Sequence, residues 1–459
     1  MTNGSWQHWE SRGFLPPLDI PSDYYPSLGA YSSFDPHAVA QHLAWLRQSG
    51  VGVIITSWWG QGSSEDKAVP ILLEQGARYG IKVAFHLEPY HGRSADRLIE
   101  DVEYLYSQYG NHSAFYRTSA SSGWSPDQRP KGLFFLYASD FPDSAALDGH
   151  TGRVRPDYWL EAVDAIHSSV QGGLIIASSF GGNWIDGGHF DGVYNYITLH
   201  PEEEGGFSWA QQLPPVAWYI PSVMPGNSAR RIGYPEDTYV PRNEGTTYDH
   251  QWEAALSAGV EPSMVTITSF NEWHEGSQIE PAAVGATNRR GYNYQDYGSL
   301  PPDGYLLLTR RWVGQFLSKE WPQSYPLRIR ILTTSDWTTF SLVEGGILVR
   351  PSLVSASEEA DYAWPERGRF LLTQPLSQAE HGQQLELTVD VLLTEVSDNT
   401  LLRVEVERGH LGLTQVELFS LLDGRPVLVD TIRWGGIVSG ERNALSRELS
   451  SSRYTNTLP

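Results

Sequence analysis

Residues 51–58 and 81–88 read VGVIITSW and IKVAFHLE, and a helical pattern over residues 66–79 separates them. Both stretches are apolar runs of strand length, which is typical of strands that are buried on both faces of a sheet. The helix between them ends before Gly80, and glycine is common where a helix terminates. Strand, helix and strand with short connections predict a parallel sheet covered by helices.

The same alternation continues along the chain. Further helices are predicted from Asp35 to Gly50 and over residues 94–109, 157–170, 247–258 and 303–318, and further strands over residues 132–139, 173–180, 189–196, 216–223 and 263–270. Seven such strands without a dinucleotide-binding glycine fingerprint favour a (β/α)8 TIM barrel, an α/β fold. No convincing apolar run precedes residue 33, so the first strand is either cryptic or missing from this chain.

The pattern changes after residue 325. Residues 385–391 and 402–407 alternate apolar and polar residues with period two, and Asp423-Gly424 between two further runs is a hairpin signal. We therefore predict a (β/α)8-type domain over residues 1–322 and a β-rich, sandwich-like accessory domain over residues 325–459. The accessory domain could bind sugar or brace the barrel, and we favour bracing.

Composition excludes some classes of function. The 459 residues carry 32 basic and 54 acidic side chains, a net charge of -22, and phosphate repels such a surface, so nucleic acid is not an expected partner. Cysteine is absent, which excludes thiolate metal sites. No apolar run has membrane-spanning length, and the first residues do not show a signal-peptide pattern. The sequence does not determine the compartment or the oligomeric state. An extracellular or periplasmic location is favoured.

Aromatic residues are abundant and follow the predicted strands. The chain has 17 Trp and 24 Tyr, whose flat apolar faces and polar groups suit sugar rings. Polar and aromatic residues follow several strands, at Ser57-Trp58-Trp59, residues 86–90, Tyr137, residues 194–196 and residues 271–275. In a (β/α)8 barrel the carboxyl ends of the strands form the active site, so these residues are predicted to converge.

Two glutamates stand out among these residues. Glu272 and Glu275 follow the strand predicted over residues 263–270, and glycosidic bonds are usually broken by two carboxyl groups. Trp273 and His274 between them would restrict water and orient the acids, and burial beside aromatic rings would raise a carboxyl pKa. The alternative is a solvated pair in a loop, which their strand-end position makes less favoured.

Glu88 is a third candidate acid, because it ends a strand and precedes a proline. The alternative role of Glu88 is a structural ion pair, with Arg93 as the candidate partner. His86 is interpreted as an orienting hydrogen-bond donor, since no spacing resembles a metal site. Of Trp58 and Trp59, strand alternation would direct only one toward the site.

Several stretches together resemble a known family. Residues 269–280 read SFNEWHEGSQIE and are similar to the signature of glycoside hydrolase family 99, the endo-α-1,2-mannosidases and mannanases. Shorter stretches agree in order, including YPSLGAYSS at residues 25–33, FHLEPY at 85–90, FDGVY at 190–194 and PSVMPG at 221–226. The resemblance covers roughly residues 6–318 and does not include the segment after residue 325.

The resemblance implies an endo-acting, retaining hydrolase of α-mannosides that needs no metal or cofactor. By this resemblance Glu272 is the base that deprotonates the sugar 2-hydroxyl, which then forms a 1,2-anhydro sugar, and Glu275 is the acid/base. Glu88, Tyr194 and Arg242 match positions near the cleavage point, and Trp59 favours mannan over glucosylated high-mannose glycans. The full set predicted to bind substrate is Trp59, His86, Glu88, Tyr90, Tyr194, Arg242, Asn271, Trp273 and His274.

The chain also departs from the family pattern. The aromatic strand of Phe-Tyr-Tyr type that opens the family's barrel has no counterpart, and residues 227–232 match a family loop only loosely. A truncated start and a seven-strand relic are the two readings of the first departure. Two other functions therefore stay open: a catalytically impaired glycan-binding homologue, and a glycosidase for another α-linked sugar.

Overall fold

A computed structural model describes residues 6–179, 181–196, 207–234, 238–288 and 291–317, together with the backbone of strands between residues 326 and 449. By its internal contacts the chain divides into two units. The first comprises Met1–Pro36 and Val51–Tyr305, and the second comprises His37–Gly50 and Leu306–Pro459.

Helices and strands alternate through most of the chain. In order, they are α1 (Pro36–Gln48), β1 (Val53–Trp58), α2 (Ser64–Tyr79), β2 (Lys82–Leu87), α3 (Ala95–Tyr109), β3 (Arg117–Thr118), β4 (Lys131–Leu136), α4 (Ser144–Asp148), α5 (Leu160–Ser168), β5 (Leu174–Ser178), α6 (Asn183–Gly188), β6 (Gly192–Tyr194), β7 (Trp218–Ile220), β8 (Ser222–Val223), α7 (Thr246–Leu256), β9 (Thr266–Ile267) and α8 (Gly304–Phe316).

The strands of the first unit form a parallel sheet in chain order. β1, β2, β4, β5, β6 and β7 are neighbours in that order, β8 pairs in parallel with β9, and short β3 pairs antiparallel with β4. The register aligns Ser57 with His86 and His86 with Phe135. The predicted α/β fold with a parallel sheet is confirmed, and the carboxyl ends of its strands lie on one edge.

Local sequence explains where the helices begin and end. The Ser63 side chain accepts a hydrogen bond from the Asp66 N–H and begins α2, and Ser94 does the same for Arg97 at α3. Gly80 ends α2 with φ of 67°, a left-handed conformation that glycine adopts at little cost. These helices match the predicted ranges closely.

Three predicted strands are shorter than expected, each for a local reason. The strand predicted over residues 216–223 is split at Pro221, which has no N–H to donate. The strand predicted over residues 189–196 starts at Gly192, because His189 ends α6 with φ of 54°. The strand predicted over residues 263–270 is reduced to β9, since the Ser269 N–H donates to the Ser277 carbonyl within the following loop.

The start of the chain contains no strand of its own in the described residues 6–52. It has a 3-10 helix over Gln7–Gly13, then α1, with single bridges from Tyr24 to Gln295 and from Pro26 to Ala282. The first strand of an eight-stranded barrel is therefore not found in this range.

Backbone strands of the second unit pair antiparallel. They are β10 (Pro326–Thr334), β11 (Leu348–Ser355), β12 (Phe370–Leu371), β13 (Gln384–Leu392), β14 (Thr400–Arg408), β15 (His410–Ser420), β16 (Val427–Ser439) and β17 (Ala444–Leu449). One set runs β13-β10-β15-β16 and another β12-β11-β14-β17. The hairpin signal at Asp423-Gly424 lies outside the described residues, and the sandwich-like domain stays a prediction.

Candidate active site

The loop that follows β9 carries both predicted catalytic glutamates. Its ends are joined by hydrogen bonds from the Ser269 N–H to the Ser277 carbonyl and from the Glu280 N–H to the Phe270 carbonyl, each 2.9 Å. The Glu272 N–H donates to Oγ of Ser269, also at 2.9 Å. These bonds fold residues 269–280 into a closed loop that fixes the backbone of Glu272 and Glu275 at the carboxyl edge of the sheet.

Burial raises the pKa of both carboxyl groups. The pKa of Glu275 rises to about 8, first through burial and then through the negative charges of Glu272 and Glu88, with a hydrogen bond from Tyr196 opposing the rise. The pKa of Glu272 is also raised by burial and by Glu88, while His8 and His86 lower it. Glu275 therefore holds its proton at neutral pH, as a general acid must.

His86, at the end of β2, joins two other predicted site residues. Its Nδ1 lies 2.6 Å from Oε1 of Glu88, and its Nε2 lies 2.5 Å from the hydroxyl oxygen of Tyr194. The Ser57 hydroxyl donates to the same Glu88 oxygen at 2.7 Å. These hydrogen bonds link side chains from β1, β2 and β6 and so orient Glu88. Arg93 instead donates its N–H groups to backbone carbonyls, among them Leu87 and Tyr137.

Tyr137 and Tyr196 complete the surroundings of the acids; both were among the strand-end residues expected to converge, although neither was predicted to bind substrate. Their rings lie 5.1 Å apart, and both pack near the His86 ring, at 4.9 and 5.6 Å. Burial and the charge of Glu275 raise the pKa of each hydroxyl, so both stay neutral and able to donate. Their position just after β4 and β6 is the signal from which the sequence predicted their convergence.

His274 lies beside a residue from the start of the chain. Its ring stacks on that of His8 with centroids 4.7 Å apart, and the Trp9 ring meets it edge-on at 5.8 Å. Burial, followed by the His8 charge, lowers the pKa of His274 to about 4. His274 is therefore neutral at the pH where Glu275 is protonated. Nothing in the sequence around His8 indicated this contact.

Trp273 and Asn271 contact a buried carboxylate network. The Trp273 indole N–H donates to Oε2 of Glu280 at 2.8 Å, and the Tyr31 hydroxyl donates to the same oxygen at 2.6 Å. The Asn271 amide donates to the Tyr31 hydroxyl at 3.1 Å. Trp273 and Glu280 are buried. Trp273 thus stabilises the loop through its hydrogen bond to Glu280. Tyr31 and Glu280 were not among the predicted site residues, although both lie in stretches that carry the family resemblance.

The remaining predicted residues lie at different depths. Trp59 follows β1 and is 43% exposed, whereas Trp58 is fully buried, with its indole N–H donated to Asp66. Tyr90 is half-buried and donates to Asp101 at 2.5 Å. Arg242 is buried and donates to the loop carbonyls of Gly276 and Gln278.

Among the described residues, no group of three or more His, Cys, Asp or Glu side chains is placed to hold a metal ion. None of their helices combines the length and apolarity that crossing a membrane requires.

The cluster as a whole joins groups suited to acid–base chemistry. Three carboxyl groups, Glu88, Glu272 and Glu275, interact electrostatically within a setting of buried tyrosines. Since like charges that share a buried site cannot all ionise at neutral pH, one group is held as an acid while another stays a base. Proton donation to a leaving group and proton removal from a nucleophile are thus both available.

Comparisons with known proteins agree with this site. The model of glycosyl hydrolase family 99 matches residues 7–318. A mouse protein named glycoprotein endo-alpha-1,2-mannosidase is 33% identical over 68% of this chain and 70% of its own. A human glycoprotein endo-alpha-1,2-mannosidase-like protein is 34% identical over 66% of this chain and 67% of its own.

A solved structure is similar as well. The GH99 endo-alpha-mannosidase from Bacteroides thetaiotaomicron, in complex with Bis-Tris propane, is 33% identical, with a TM-score of 0.56 over 68% of this chain and 91% of that one. The family match spans the sheet, the closed loop and both glutamates. This chain therefore belongs to glycosyl hydrolase family 99 and is a glycoside hydrolase.

Proposed function

We propose that the chain is an endo-acting hydrolase of α-1,2-linked mannosides. The observation that carries this is the half-buried pair Glu272 and Glu275 on one closed loop, with the pKa of Glu275 raised to about 8. Membership of family 99 and the names of the relatives support an endo-acting α-mannosidase. By the family resemblance, Trp59, which follows β1 and is 43% exposed, favours mannan side chains over glucosylated high-mannose glycans.

The proposed reaction retains the anomeric configuration. Glu272 takes the proton of the substrate 2-hydroxyl, whose oxygen attacks the anomeric carbon, while Glu275 gives its proton to the departing glycosidic oxygen. The product of this step is a 1,2-anhydro sugar. Glu275 then takes a proton from water, which opens the epoxide at the anomeric carbon, and Glu272 returns a proton to the 2-oxygen. Two inversions give net retention.

The other site residues are proposed to bind and orient the sugar. Glu88, held by His86 and Ser57, and Tyr194 are suited to contact hydroxyls near the reacting ring, and Trp59 offers a flat face to a neighbouring sugar. Asn271 directly precedes Glu272, His274 directly precedes Glu275, and the Tyr90 ring meets the Trp58 ring edge-on.

Glu275→Gln and Glu272→Gln separate the two roles. With an α-1,2-mannan substrate both variants should lose roughly 10²- to 10⁴-fold in kcat, because each removes one proton-transfer group. With an aryl leaving group that needs no protonation, Glu275→Gln should recover most of its rate and Glu272→Gln should not. Equal recovery in both variants would contradict the assignment of acid and base.

The stereochemistry and the intermediate have their own test. Proton NMR of the first product should show the α-anomer before mutarotation, and a substrate that lacks the 2-hydroxyl at the cleaved mannose should not be hydrolysed. A β-anomer, or hydrolysis of the 2-deoxy substrate at a comparable rate, would overturn the anhydro-sugar route. Hydrolysis of another α-linked sugar but not of mannosides would overturn the substrate class.

We also propose that residues 325–459 form a β-rich accessory domain of sandwich-like form, next to a catalytic domain over residues 1–322. The two antiparallel sets of backbone strands support this division. Limited proteolysis of the full chain should give a stable fragment ending near residue 322, identified by mass spectrometry. Degradation of both parts at equal rates would argue against two domains.

A further inference from the structure

Arg242 is enclosed by aromatic rings. Its guanidinium carbon lies 4.8 Å from the ring centre of Tyr24, 5.0 Å from that of Tyr297 and 4.6 Å from that of Tyr305. The residue is buried. Burial alone would lower the pKa of Arg242, but Tyr297, Tyr305 and Tyr24 outweigh it and the net shift is upward. Arg242 is therefore a permanent cation held inside a cage of three tyrosines.

Two hydrogen bonds of this cation go to the loop that carries the two glutamates. Nη2 of Arg242 donates to the carbonyl of Gly276 at 2.9 Å and to that of Gln278 at 2.6 Å. Gly276 is the residue directly after Glu275. Bonds from a charged donor are about twice as strong as neutral ones, so they hold the backbone at this point firmly.

Glycines allow the close approach that these bonds need. Gly226 has φ of 151°, and a Cβ there would lie 2.7 Å from Cγ of Arg242. Gly276 has φ of 61°, and a Cβ there would lie 2.9 Å from atoms of Ser228. The Ser228 N–H in turn donates to the Glu275 carbonyl at 2.7 Å. The backbone of Glu275 is thus fixed on both sides.

We propose that Arg242 is a positioning residue for Glu275, acting through the backbone carbonyls of Gly276 and Gln278 without contacting the sugar. The family resemblance places Arg242 near the cleavage point, but its guanidinium here lies among tyrosine rings and loop carbonyls. The inference rests on the proposed function, since it concerns where the Glu275 carboxyl lies when it gives its proton to the glycosidic oxygen. A displacement of about 1 Å in such a group can cost roughly a hundred-fold in rate.

The test is the charge-conserving substitution Arg242→Lys in the full chain. A lysine ammonium keeps the charge but not the planar guanidinium that lies among the three rings and reaches both carbonyls. We expect kcat on an α-1,2-mannoside to fall roughly ten- to hundred-fold while KM changes less than about three-fold. We also expect the basic limb of the pH profile of kcat/KM to move.

Arg117→Lys is the matched control. Arg117 also donates to backbone carbonyls, those of Gly110 and Pro130, and also lies over two rings, those of Tyr106 and Phe115. It is remote in the fold, at β3, and its substitution should leave kcat, KM and the pH profile unchanged. A rise in KM at constant kcat and pH profile in Arg242→Lys would show sugar binding and overturn the inference.

A measurement without substrate separates this inference from the proposed function. Carbon-13 NMR of the glutamate carboxyls should show the Glu275 titration moved in Arg242→Lys and unmoved in Arg117→Lys. An unmoved titration overturns the positioning role even if the wild type hydrolyses mannosides, and wild type without mannosidase activity overturns the proposed function alone. If Arg242→Lys is unfolded at the assay temperature, Tyr24→Leu, which removes one ring of the cage, should give the same shifts more weakly.

Discussion

At the scale of single residues, Tyr196 adjusts the pKa of Glu275. Its hydroxyl donates a hydrogen bond to Glu275 and so lowers the Glu275 pKa, against the larger effect of burial. Removing that donor in Tyr196→Phe should raise the pKa further. Because Glu275 must be protonated to act, kcat/KM in the wild type should fall above about pH 8, and this basic limb should move to higher pH in Tyr196→Phe.

Tyr116→Phe is the control for this prediction, since it removes a hydroxyl from a tyrosine that packs against the buried core of the sheet. Its basic limb should stay where the wild type has it. A limb that moves downward in Tyr196→Phe would mean that the hydroxyl stabilises the protonated form of Glu275.

The acids and the neighbours that also follow strands, such as His86 and Tyr194, could be predicted from the sequence, but the contacts of His8 and Tyr31 could not. Glu272 and Glu275 could be found because strand ends are local in sequence and converge in a parallel sheet. The contact of Tyr31 with Glu280 spans 249 positions, and the stack of His8 on His274 depends on how the first residues pack. No periodicity or capping rule encodes such contacts, so only the folded structure reveals them.

At the scale of elements, the closed loop depends on one glycine. Gly276 has φ of 61°, and an added Cβ would lie 2.9 Å from backbone atoms of Ser228. Gly276→Ala should therefore destabilise the protein by about 1–3 kcal/mol and lower kcat, because the loop must shift to relieve the contact. Thermal unfolding and steady-state kinetics measure both effects.

Gly285→Ala isolates the contribution of the contact. Gly285 has a similar φ of 66°, but a Cβ there would meet nothing within 4 Å. Gly285→Ala should lose only the stability that a positive φ costs an alanine, and its kcat should be unchanged. If the two variants lose equal stability and neither loses activity, the approach of Ser228 does not shape the loop.

Element boundaries were predictable where one residue decides them. Ser63 and Gly80 bound α2 through a side-chain cap and a left-handed glycine, and both signals can be read directly from sequence. The break between β7 and β8 at Pro221 is equally local. The apolar residues around Pro221 nevertheless led to the prediction of one continuous strand over residues 216–223. The short β9 could not be foreseen, because the pairing of Ser269 with Ser277 replaces the strand.

At the scale of the whole molecule, the raised pKa of Glu275 makes the free energy of unfolding decrease as the pH rises. The Glu275 pKa lies near 8 in the folded state, against 4.5 for an ordinary glutamate. The folded state therefore holds its proton more tightly, and this contribution to stability is lost as pH rises from about 4.5 to about 8. Glu275→Gln should unfold at higher urea than the wild type at pH 9, with little difference at pH 4.5.

Glu74→Gln is the control, because Glu74 is an exposed glutamate paired with Arg78 on α2. Surface pairs contribute little, so the pH dependence of its unfolding should match that of the wild type. A stability gap for Glu275→Gln that does not grow with pH would show that Glu275 is not held protonated by the fold.

Because Glu88, Glu272 and Glu275 interact electrostatically, sugar binding should be coupled to proton uptake from the buffer. Near pH 8 about half of the Glu275 carboxyls of the wild type are charged, and Glu272→Gln, which removes a charge that raises the Glu275 pKa, leaves more of them charged at that pH. A neutral sugar that displaces water from them should draw a proton out of the buffer. Calorimetric titration of a Glu272→Gln variant with an oligomannoside should then be less exothermic in Tris, which absorbs heat on releasing a proton, than in phosphate. The difference in heat between the two buffers should shrink as the pH is lowered, because Glu275 is then protonated before the sugar binds.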